Sequence, residues 1–510
     1  MKLNKSIYIL TLGVATLLPL SCKDFLDEAD TRNISEASLF KKPEDGVRLV
    51  NAIYDTFHDS DFMNKSLWYG ANFLSQDFHN YGADVFFETY EVPTNFDPLN
   101  IAWVKSYEGI ARANSVFPIV AKMKADGVIT EDLANRLNGE AYFLRGTFYY
   151  YLASMFGGVP LELQTVTDEG RHPRNTQDEV FAQVAKDMET AANLLPWNYK
   201  NDRSNLGRAT KGAALAYKGS AEMWQKKYAD AVKTFDMIDA GGYKLEENFL
   251  NIHEYANQNN DESLFEVQFL EGADQSWGHA DETIWFTSFH MPEEITNFGY
   301  GYADPKLYTS FEQDDKRKMP TVIGPGDTHP SPAIQISAYP KVKELFGGIN
   351  TLGTKEKPWK GSDGLRSGYY SVKTWRDPNV RGSTGNPQTI FNGQNVIMMR
   401  LGEVYVSKAE ALWRSGQEAA ARELINNTIR KRAGLAPAPA NKAFKDIIIE
   451  EYRHELSGEM SLWFLLRRSG EHKNYVRDEF GITIPSGKDI LPIPQQAILS
   501  NSELKQNSGY

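Results

Sequence analysis

A helical hairpin that occurs twice is the feature of this sequence that most restricts its fold. Residues 398–435 carry apolar side chains at helical spacing on both sides of Gly416, and Gly434 ends the second helix. An earlier hairpin matches at one constant offset: Tyr217, Ala221, Glu222 and Ala231 correspond to Tyr405, Ala409, Glu410 and Ala419. Two unrelated amphipathic hairpins are the alternative, but the shared register favours a repeat. The sequence therefore predicts a tetratricopeptide-like helical-repeat scaffold.

Periodicity divides the rest of the chain into helical parts and one irregular part. Helical spacing predicts further helices over 43–58, 100–123, 131–156, 175–195 and 443–468. Between Gly241 and Asn395 this spacing is mostly lost, and Gly, Pro and aromatic residues become frequent. One short helix at 305–314 and strands at 264–269 and 369–375 are expected there. We predict a mostly α fold with an N-terminal helical-repeat part (22–240), a large loop-rich insertion carrying short strands (241–395), and a C-terminal helical part with an extended tail (396–510).

The N-terminus predicts where the protein is located. Lys2 and Lys5 precede an apolar stretch, residues 7–20, which is too short to span a bilayer and is followed by Cys22. Cys22 is the only cysteine of the chain, so no intrachain disulfide can form. We predict a signal peptide over residues 1–21 and lipidation of Cys22, which would anchor the protein to a membrane surface. The alternative is a cysteine just inside an ordinary secreted chain.

Charge and motif content argue against several classes of function. The net charge of −12 disfavours unaided binding to nucleic acid or to anionic lipid. The sequence has no Gly-x-Ser-x-Gly elbow, no Walker loop and no complete dinucleotide-binding glycine fingerprint. His454-Glu455 begins like a zinc-protease helix, but Gly458 stands where the second histidine is needed. We therefore predict no catalytic residue, no metal site and no cofactor, with a two-carboxylate glycosidase site as the alternative.

Aromatic residues are the most informative side chains for ligand binding. They make up 12% of the chain, and four tryptophans fall in loop-rich sequence: Trp68, Trp277, Trp285 and Trp359. Flat rings with polar edges suit the apolar faces and hydroxyl groups of sugars. For each single tryptophan, burial as an anchor of the loop is the alternative. The pattern favours an oligosaccharide as the ligand.

Six motifs, which together span nearly the whole mature chain, resemble those of the SusD/RagB outer-membrane lipoproteins of the Bacteroidetes. They occur in the family's order: WVKSYEGIARAN (103–114), GEAYFLRGTFYYYLASMFGGVPLEL (139–163), LGRATKGAALAYKGSAEMW (206–224), the hairpin at 398–435, IIIEEYRHELSGEMSLWFLLRRSG (447–470) and ILPIPQQAILSNSELKQNSGY (490–510). Gly402 and Ser461-Leu462 depart from the usual pattern, but both lie on predicted scaffold helices.

The resemblance implies a fold and a role. Members of the family have four tetratricopeptide-like helical pairs that support a loop-built half. They sit on the cell surface, bind glycans or in some cases peptides, and form the lid of a SusC-like TonB-dependent transporter. We therefore expect a surface-exposed, lipid-anchored protein of the outer membrane that delivers an oligosaccharide to such a transporter and performs no chemistry. Peptide capture, a glycoside hydrolase and a purely structural helical adaptor remain the alternatives.

The resemblance also indicates where ligand contacts lie. In the family they come mainly from the loops after the first helix and from the middle insertion. Both regions of this chain are rich in aromatic residues, and a carboxylate beside them would accept hydrogen bonds from hydroxyl groups. The candidate ligand-binding residues are Trp68, Tyr69, Asp77, Tyr81, Trp285 and Tyr300. For Asp77, capping of a turn is the alternative.

Overall fold

The described residues form a stack of helices and a loop-rich part. They comprise residues 39–82, 85–270, 289–375 and 393–510 of a computed structural model. The helices of eight residues or more in these ranges are α1 (Pro43–Asp55), α2 (Asp97–Ala125), α3 (Glu131–Phe156), α4 (Gln177–Leu194), α5 (Lys211–Trp224), α6 (Tyr228–Ile238), α7 (Leu401–Arg414), α8 (Glu418–Ile425), α9 (Phe444–Leu456), α10 (Leu462–Ser469) and α11 (His472–Phe480). Each of α2 to α5 packs against the next helix of the chain, and α7 packs against α6. The prediction of a mostly α, repeat-type scaffold is confirmed.

Local sequence signals explain where these helices begin. Thr176 caps α4: its hydroxyl accepts from the Glu179 backbone N–H at 3.2 Å, and the Glu179 carboxylate accepts from the Thr176 N–H at 2.8 Å. This reciprocal arrangement satisfies two backbone donors that a helix N-terminus otherwise leaves unpaired. Thr130 caps α3 in the same way through the Leu133 N–H. The predicted boundary of α3, residues 131–156, is confirmed.

The repeated hairpin is present, but its register differs from the sequence match. Helices α5 and α7 have the same length and begin 190 residues apart, and α6 and α8 begin at the same separation. The matched Tyr, Ala and Glu positions are 188 residues apart, so the sequence register is wrong by two residues. In the structure, fully buried Ala231 corresponds to fully buried Ala421, whereas Ala419 is exposed. Lys226 and Gly416, both with positive φ, occupy equivalent turns.

The predicted helix over 443–468 is two helices in the structure. Helix α9 ends at Leu456 and α10 begins at Leu462. Gly458, with φ of +84°, turns the chain between them. The turn is fixed by distant partners, because the Gly458 N–H donates to Asn72 and its carbonyl accepts from the Trp68 indole N–H.

Short strands occur where the sequence predicts them and in several other places. All are antiparallel pairs: β1 (Phe78–Asn80) with β3 (Gly301–Ala303), β2 (Ser263–Val267) with β6 (Val396–Arg400), and β4 (Val322–Ile323) with β5 (Tyr370–Ser371). The predictions at 264–269 and 369–375 correspond to β2 and β5. Residues 398–400, which the sequence placed in the repeated hairpin, belong instead to β6.

Short helical segments fill much of the remaining chain. They are Thr56–His58, Phe62–Trp68, Tyr69–Asn72, Phe86–Thr89, Asp239–Gly241, Phe249–His253, Tyr255–Asn257, Glu293–Thr296, Pro305–Ser310, Lys318–Thr321, Ile336–Ala338, Pro340–Phe346, Asn426–Arg430, Lys431–Ala433 and Gln495–Ser500. The helix predicted over 305–314 therefore ends at Ser310. The C-terminal tail packs back onto the helical stack, since the Leu491 N–H donates to the Met155 carbonyl at 3.1 Å.

Two apolar cores support the molecule. The larger one fills the helical stack and includes the ring pair of Phe57 and Phe148, stacked at 4.6 Å. The smaller one lies within the loop-rich part and contains Trp359, Tyr370 and Trp375. Trp359 is 1% exposed and stacks on Phe346 at 4.8 Å, so this loop tryptophan is a buried anchor. The loop-rich part therefore has a core of its own.

Buried ion pairs join the loop-rich part to helix α9. Arg317 lies between Asp315 at 2.8 Å and Glu451 at 2.7 Å. Arg400, at the end of β6, contacts Glu455 and Glu459, both at 2.7 Å. All six of these residues are at most 7% exposed. Such a network is costly to disturb, because removing one partner leaves an uncompensated buried charge.

No helix of the described residues is both long enough and apolar enough to cross a bilayer. The predicted signal peptide and Cys22 lie outside the residues that the structure describes.

Candidate functional site

Two of the predicted ligand contacts lie in the protein interior. Trp68 is 1% exposed, and its indole N–H donates to the Gly458 carbonyl at 3.0 Å. Tyr69 is 2% exposed and packs against Phe73, with ring centroids 4.4 Å apart. Both rings belong to the larger core. The structure thus corrects the expectation for these two residues: they anchor the segment between α1 and α2 (residues 56–96, here called the first loop) and are not available to a ligand.

Asp77 is also buried, in an ion pair that fixes the same loop. Its carboxylate lies 2.8 Å from the Arg453 guanidinium and accepts from the Ser457 hydroxyl at 2.8 Å and from the Tyr475 hydroxyl at 2.9 Å. The side chain is fully buried. These partners occupy the acceptor positions that a sugar hydroxyl would need. The structure corrects this expectation too, since the carboxylate is used inside the protein.

Tyr81 and Tyr300 are partly exposed and lie next to each other. Strands β1 and β3 pair residue Asn80 with Gly301, and the ladder continues as the Tyr81 N–H donates to the Tyr300 carbonyl at 2.6 Å. The two loops that the sequence singled out therefore meet at this strand pair. Trp285, the remaining candidate, lies outside the described residues.

Two phenylalanines, Phe289 and Phe298, lie beside Tyr300 and form a group of rings with it. Phe289 stacks on Phe298 at 4.8 Å and on Tyr300 at 5.0 Å. Phe298 and Tyr300 flank Gly299, and the centroids of their rings lie 6.2 Å apart. All three rings are partly exposed. We call Tyr81, Phe289, Phe298 and Tyr300 the aromatic platform.

Gly299 is required for this geometry. Its φ is +62°, which favours glycine, and a Cβ there would lie 2.5 Å from the Glu293 backbone nitrogen. The Phe-Gly-Tyr sequence thus lets the chain pass close to the short helix Glu293–Thr296 while it presents a ring on each side of the glycine.

Arg366 holds the platform together from beneath. Its guanidinium lies 3.7 Å from the Tyr81 ring centroid and donates to the Gly299 carbonyl at 3.1 Å. The same group contacts Glu293 at 2.8 Å and Asp363 at 3.0 Å. Arg366 is only 3% exposed, so the cation supports the Tyr81 ring from within the protein. Three separate chain segments are thereby fixed to one guanidinium.

Hydrogen bonding sets the charge state at the edge of the platform. Tyr81 donates to Asp363, which lowers the pKa of that carboxyl and raises the pKa of the Tyr81 hydroxyl. Burial raises the pKa of Glu294, whose carboxyl accepts from the Gly361 N–H at 2.8 Å. The platform is therefore bordered by carboxyl groups that can accept hydrogen bonds from hydroxyls.

His79 supports the strand that leads into Tyr81. Its imidazole lies between Glu88 at 2.8 Å and Asp304 at 3.0 Å, with the Tyr302 ring 5.6 Å away. Burial lowers the pKa of His79, but the hydrogen bonds to Asp304 and Glu88 outweigh it and raise the pKa to about 9. The imidazolium thus links the first loop to the start of helix Pro305–Ser310 at neutral pH.

A second concave region lies on the helical stack. It is a groove of about 570 Å³ between α2, the segment after α3 and the C-terminal tail. Trp103 and Tyr107 line it together with the exposed side chains of Val104 and Val166. The Tyr107 hydroxyl donates to the Pro160 carbonyl at 2.8 Å, so its polar edge already has a partner. Two carboxyl-bearing residues, Glu162 and Glu169, also line the groove.

The platform is suited to binding flat, hydroxylated ligands. Its rings offer stacking surface, and Asp363 and the tyrosine hydroxyls offer hydrogen-bond partners. Among the described residues, no group of three or more His, Cys, Asp or Glu side chains could hold a metal ion. The arrangement can bind a ligand by stacking and hydrogen bonding.

Sequence reasoning missed part of this site. Phe289, Phe298 and Arg366 were not among the candidates, although the first two lie in the aromatic-rich region between Trp277 and Tyr302 that the resemblance indicated. The spacing of Phe298 and Tyr300 around a glycine is a signal that could have identified the first of them. Arg366 carries no such signal, because its role depends on contacts with segments about 70 and 285 residues away.

Comparisons with protein families assign most of the chain. Residues 197–510 match the model described as SusD family. Residues 24–219 match a related model described as "Starch-binding associating with outer membrane". Together the two matches cover both the helical stack and the loop-rich part.

Individual relatives agree with this assignment. The SusD-like protein P2 of Formosa agariphila is 23% identical, with 99% of each chain covered. The starch-binding protein SusD of Bacteroides thetaiotaomicron is 23% identical over 74% of this chain and 73% of its own. Among solved structures, a laminarin-binding SusD-like protein has a TM-score of 0.75 at 23% identity and covers 92% of this chain and 100% of its own. The structural likeness shows the shared fold, and with the family match it leads to one conclusion: the chain belongs to the SusD family.

Proposed function

We propose that this protein binds oligosaccharides at the aromatic platform on the cell surface and delivers them to a SusC-like TonB-dependent transporter. The observation that carries the proposal is the group of partly exposed, stacked rings supported by Arg366 and bordered by carboxyl groups. Family membership supports it, as do relatives named for starch and laminarin binding. Binding at such a shallow, hydrated site is expected to be modest, because few ligand groups become fully buried.

The proposed function does not include catalysis. A glycosidase needs a carboxylic acid that keeps its proton near neutral pH. Hydrogen bonds from Tyr81 and Arg366 instead lower the pKa of Asp363, which makes it an acceptor and not an acid. Burial raises the pKa of Glu294, so this carboxyl group is the one that the enzyme alternative would require as an acid. Release of reducing sugar from a bound polysaccharide by the purified protein would support the enzyme alternative.

Substitution of one platform ring tests the assignment. In the mature chain with Cys22→Ser, Tyr300→Ala should weaken oligosaccharide binding at least tenfold, because it removes one stacking surface and one hydroxyl. Glycan-array screening followed by calorimetry with the glycan that binds gives the affinity. Tyr228→Ala, which changes a partly exposed tyrosine at the start of α6, is the matched control and should leave affinity unchanged.

Other outcomes separate the alternatives. Unchanged affinity of Tyr300→Ala contradicts the choice of the platform and points to the groove on the helical stack. Binding of peptides but not glycans by the wild-type protein supports peptide capture. Binding of neither ligand class supports a structural adaptor.

A further inference from the structure

The chain segments that supply the platform rings have an unusual charge pattern. Tyr81 comes from residues 66–104, which contain five Asp or Glu and no Lys or Arg. Phe289, Phe298 and Tyr300 come from residues 245–305, which contain thirteen Asp or Glu and again no Lys or Arg. With a net charge of −12, some acidic excess is expected anywhere on this protein. The complete lack of Lys and Arg over these two stretches goes beyond it.

The structure concentrates this excess at the platform. Arg366 contacts both Glu293 and Asp363, so one guanidinium faces two carboxylates. Glu294 is the third carboxyl group of this edge, and its contact is the Gly361 N–H and not a cation. The hydroxyl of Ser362 also donates to Glu293 at 2.8 Å. The charge of the Arg366 guanidinium is therefore already shared by two carboxylates.

A second pair of carboxylates lies beside the first edge. Glu88 and Asp304 share the imidazolium of His79, two residues before Tyr81. Lys306 is close to Asp304 in sequence, but its ammonium donates to the Glu479 carbonyl at 2.8 Å and lies 5.4 Å from the Phe480 ring. Four carboxylates around the platform thus form ion pairs with two cationic side chains, and the fifth carboxyl group, Glu294, accepts from the Gly361 N–H.

We propose that the platform selects oligosaccharides without negative charge and excludes glycans that carry uronate or sulfate groups. This inference rests on the proposed function and names the ligand class of the same site. An anionic group placed on the rings would lie within a Debye length, about 10 Å at 0.1 M salt, of the unneutralised carboxylates. It would be repelled by them, and the two cations that support the platform, Arg366 and His79, are each already paired with two carboxylates.

Matched pairs of glycans test the inference. The probes are oligosaccharides of a β-1,3-glucan, a xyloglucan and a galactan, each beside a chemically sulfated sample of the same length. They are presented to the mature chain with Cys22→Ser on one array at low and at physiological salt. For each pair that binds, the sulfated member should bind at least tenfold more weakly, and added salt should narrow the difference.

Charge variants provide the second measurement. Glu293→Gln and Asp363→Asn should each strengthen binding of the sulfated member several-fold relative to binding of the neutral member, because each removes one negative charge from the edge. Lys360→Gln, at an exposed basic residue three positions before Asp363, is the control of opposite sign and should not strengthen it. If a carboxylate variant fails to fold by circular dichroism, the salt dependence of the wild-type protein still decides the question.

The outcomes distinguish this inference from the function on which it rests. Equal or tighter binding of sulfated members overturns charge selection and leaves oligosaccharide binding intact. Failure of every neutral and sulfated probe to bind overturns oligosaccharide binding, and the charge inference falls with it. Stronger binding of sulfated glycans by Lys360→Gln than by Glu293→Gln also contradicts the inference.

Discussion

At the scale of single residues, His79 shows how a charge supports the binding surface. The imidazolium lies between two carboxylates and is two residues from Tyr81. The structure raises its pKa to about 9, above the ordinary value of 6.5. A raised pKa means that the folded protein holds the proton more tightly than the unfolded chain. The stabilisation is therefore complete below about pH 6.5 and is lost as pH rises through about 9.

The pH dependence of unfolding tests this residue. Each pKa unit of difference corresponds to about 1.4 kcal/mol, so the wild-type protein should lose on the order of 3 kcal/mol between pH 6 and pH 9.5 from this group. His79→Gln cannot titrate and should show a correspondingly smaller loss over the same range. Urea unfolding at both pH values measures the difference. Equal losses in the two proteins would contradict the assignment.

The exposure of single side chains could be predicted only in part. Tyr81 and Tyr300 lie on the surface as expected, but Trp68 and Asp77 occupy the interior. Their hydrogen-bond and ion-pair partners, Gly458 and Arg453, are 390 and 376 residues away in sequence. Local composition cannot distinguish a loop tryptophan that is exposed to solvent from one that packs against a turn several hundred residues away in the sequence.

At the scale of elements, the end of β6 and helix α9 are joined by charge. Arg400 contacts Glu262 at 2.6 Å as well as Glu455 and Glu459. Burial raises the pKa of Glu455, but Arg432, Arg400 and Arg317 outweigh burial and hold the pKa below its ordinary value. A lowered pKa gives stability that is present above about pH 4.5 and is lost as the solution becomes more acidic.

Removal of the central cation tests this connection. Arg400→Met should cost about 3–5 kcal/mol of unfolding free energy, because three buried carboxylates lose their shared partner. Thermal or urea unfolding at pH 7 measures the loss. Arg171→Met is the matched control, since Arg171 is 56% exposed in its ion pair with Glu169 and should change stability by less than about 1 kcal/mol. Similar losses in the two variants would contradict the importance of the network.

The bounds of a helix could be predicted from the sequence where local signals determine them. Helix α3 has a threonine cap and a long apolar pattern, and its predicted bounds are confirmed. The break between α9 and α10 was missed, because the apolar pattern continues through Gly458 while tertiary hydrogen bonds from Trp68 and Asn72 fix the turn. The two-residue register error in the repeated hairpin has a similar origin. The equivalent positions of the two hairpins are those that share the turn geometry, Lys226 and Gly416, and not those that share a residue type.

At the scale of the whole molecule, the proposed membrane anchor determines where the platform works. The predicted lipidation site, Cys22, precedes helix α1 by 20 residues. Two or three acyl chains on one cysteine give stable attachment, whereas a single chain gives only marginal binding. An acylated Cys22 would then hold the chain at a membrane surface.

Substitution of the predicted lipidation site tests the anchor. In the bacterial host, Cys22→Ser should remove incorporation of labelled palmitate and move the protein from the membrane fraction to the soluble fraction. Ser21→Ala, at the preceding residue, is the control and should stay in the membrane fraction. A Cys22→Ser protein that still sediments with membranes would contradict lipid anchoring at this position.

The pairing of β2 with β6 brings together the two ends of the part that carries most of the platform. Val267 lies opposite Val396, so residues 268–395 leave and re-enter the helical stack at neighbouring ladder positions. The entropy of closing a loop grows by only about 0.6 kcal/mol for each doubling of its length. We therefore expect that residues 268–395 can be replaced as one unit, provided that the replacement keeps a basic residue in the place of Arg317 to pair with Glu451. A different loop-rich part could thus present a different ligand site while the helical stack stays the same.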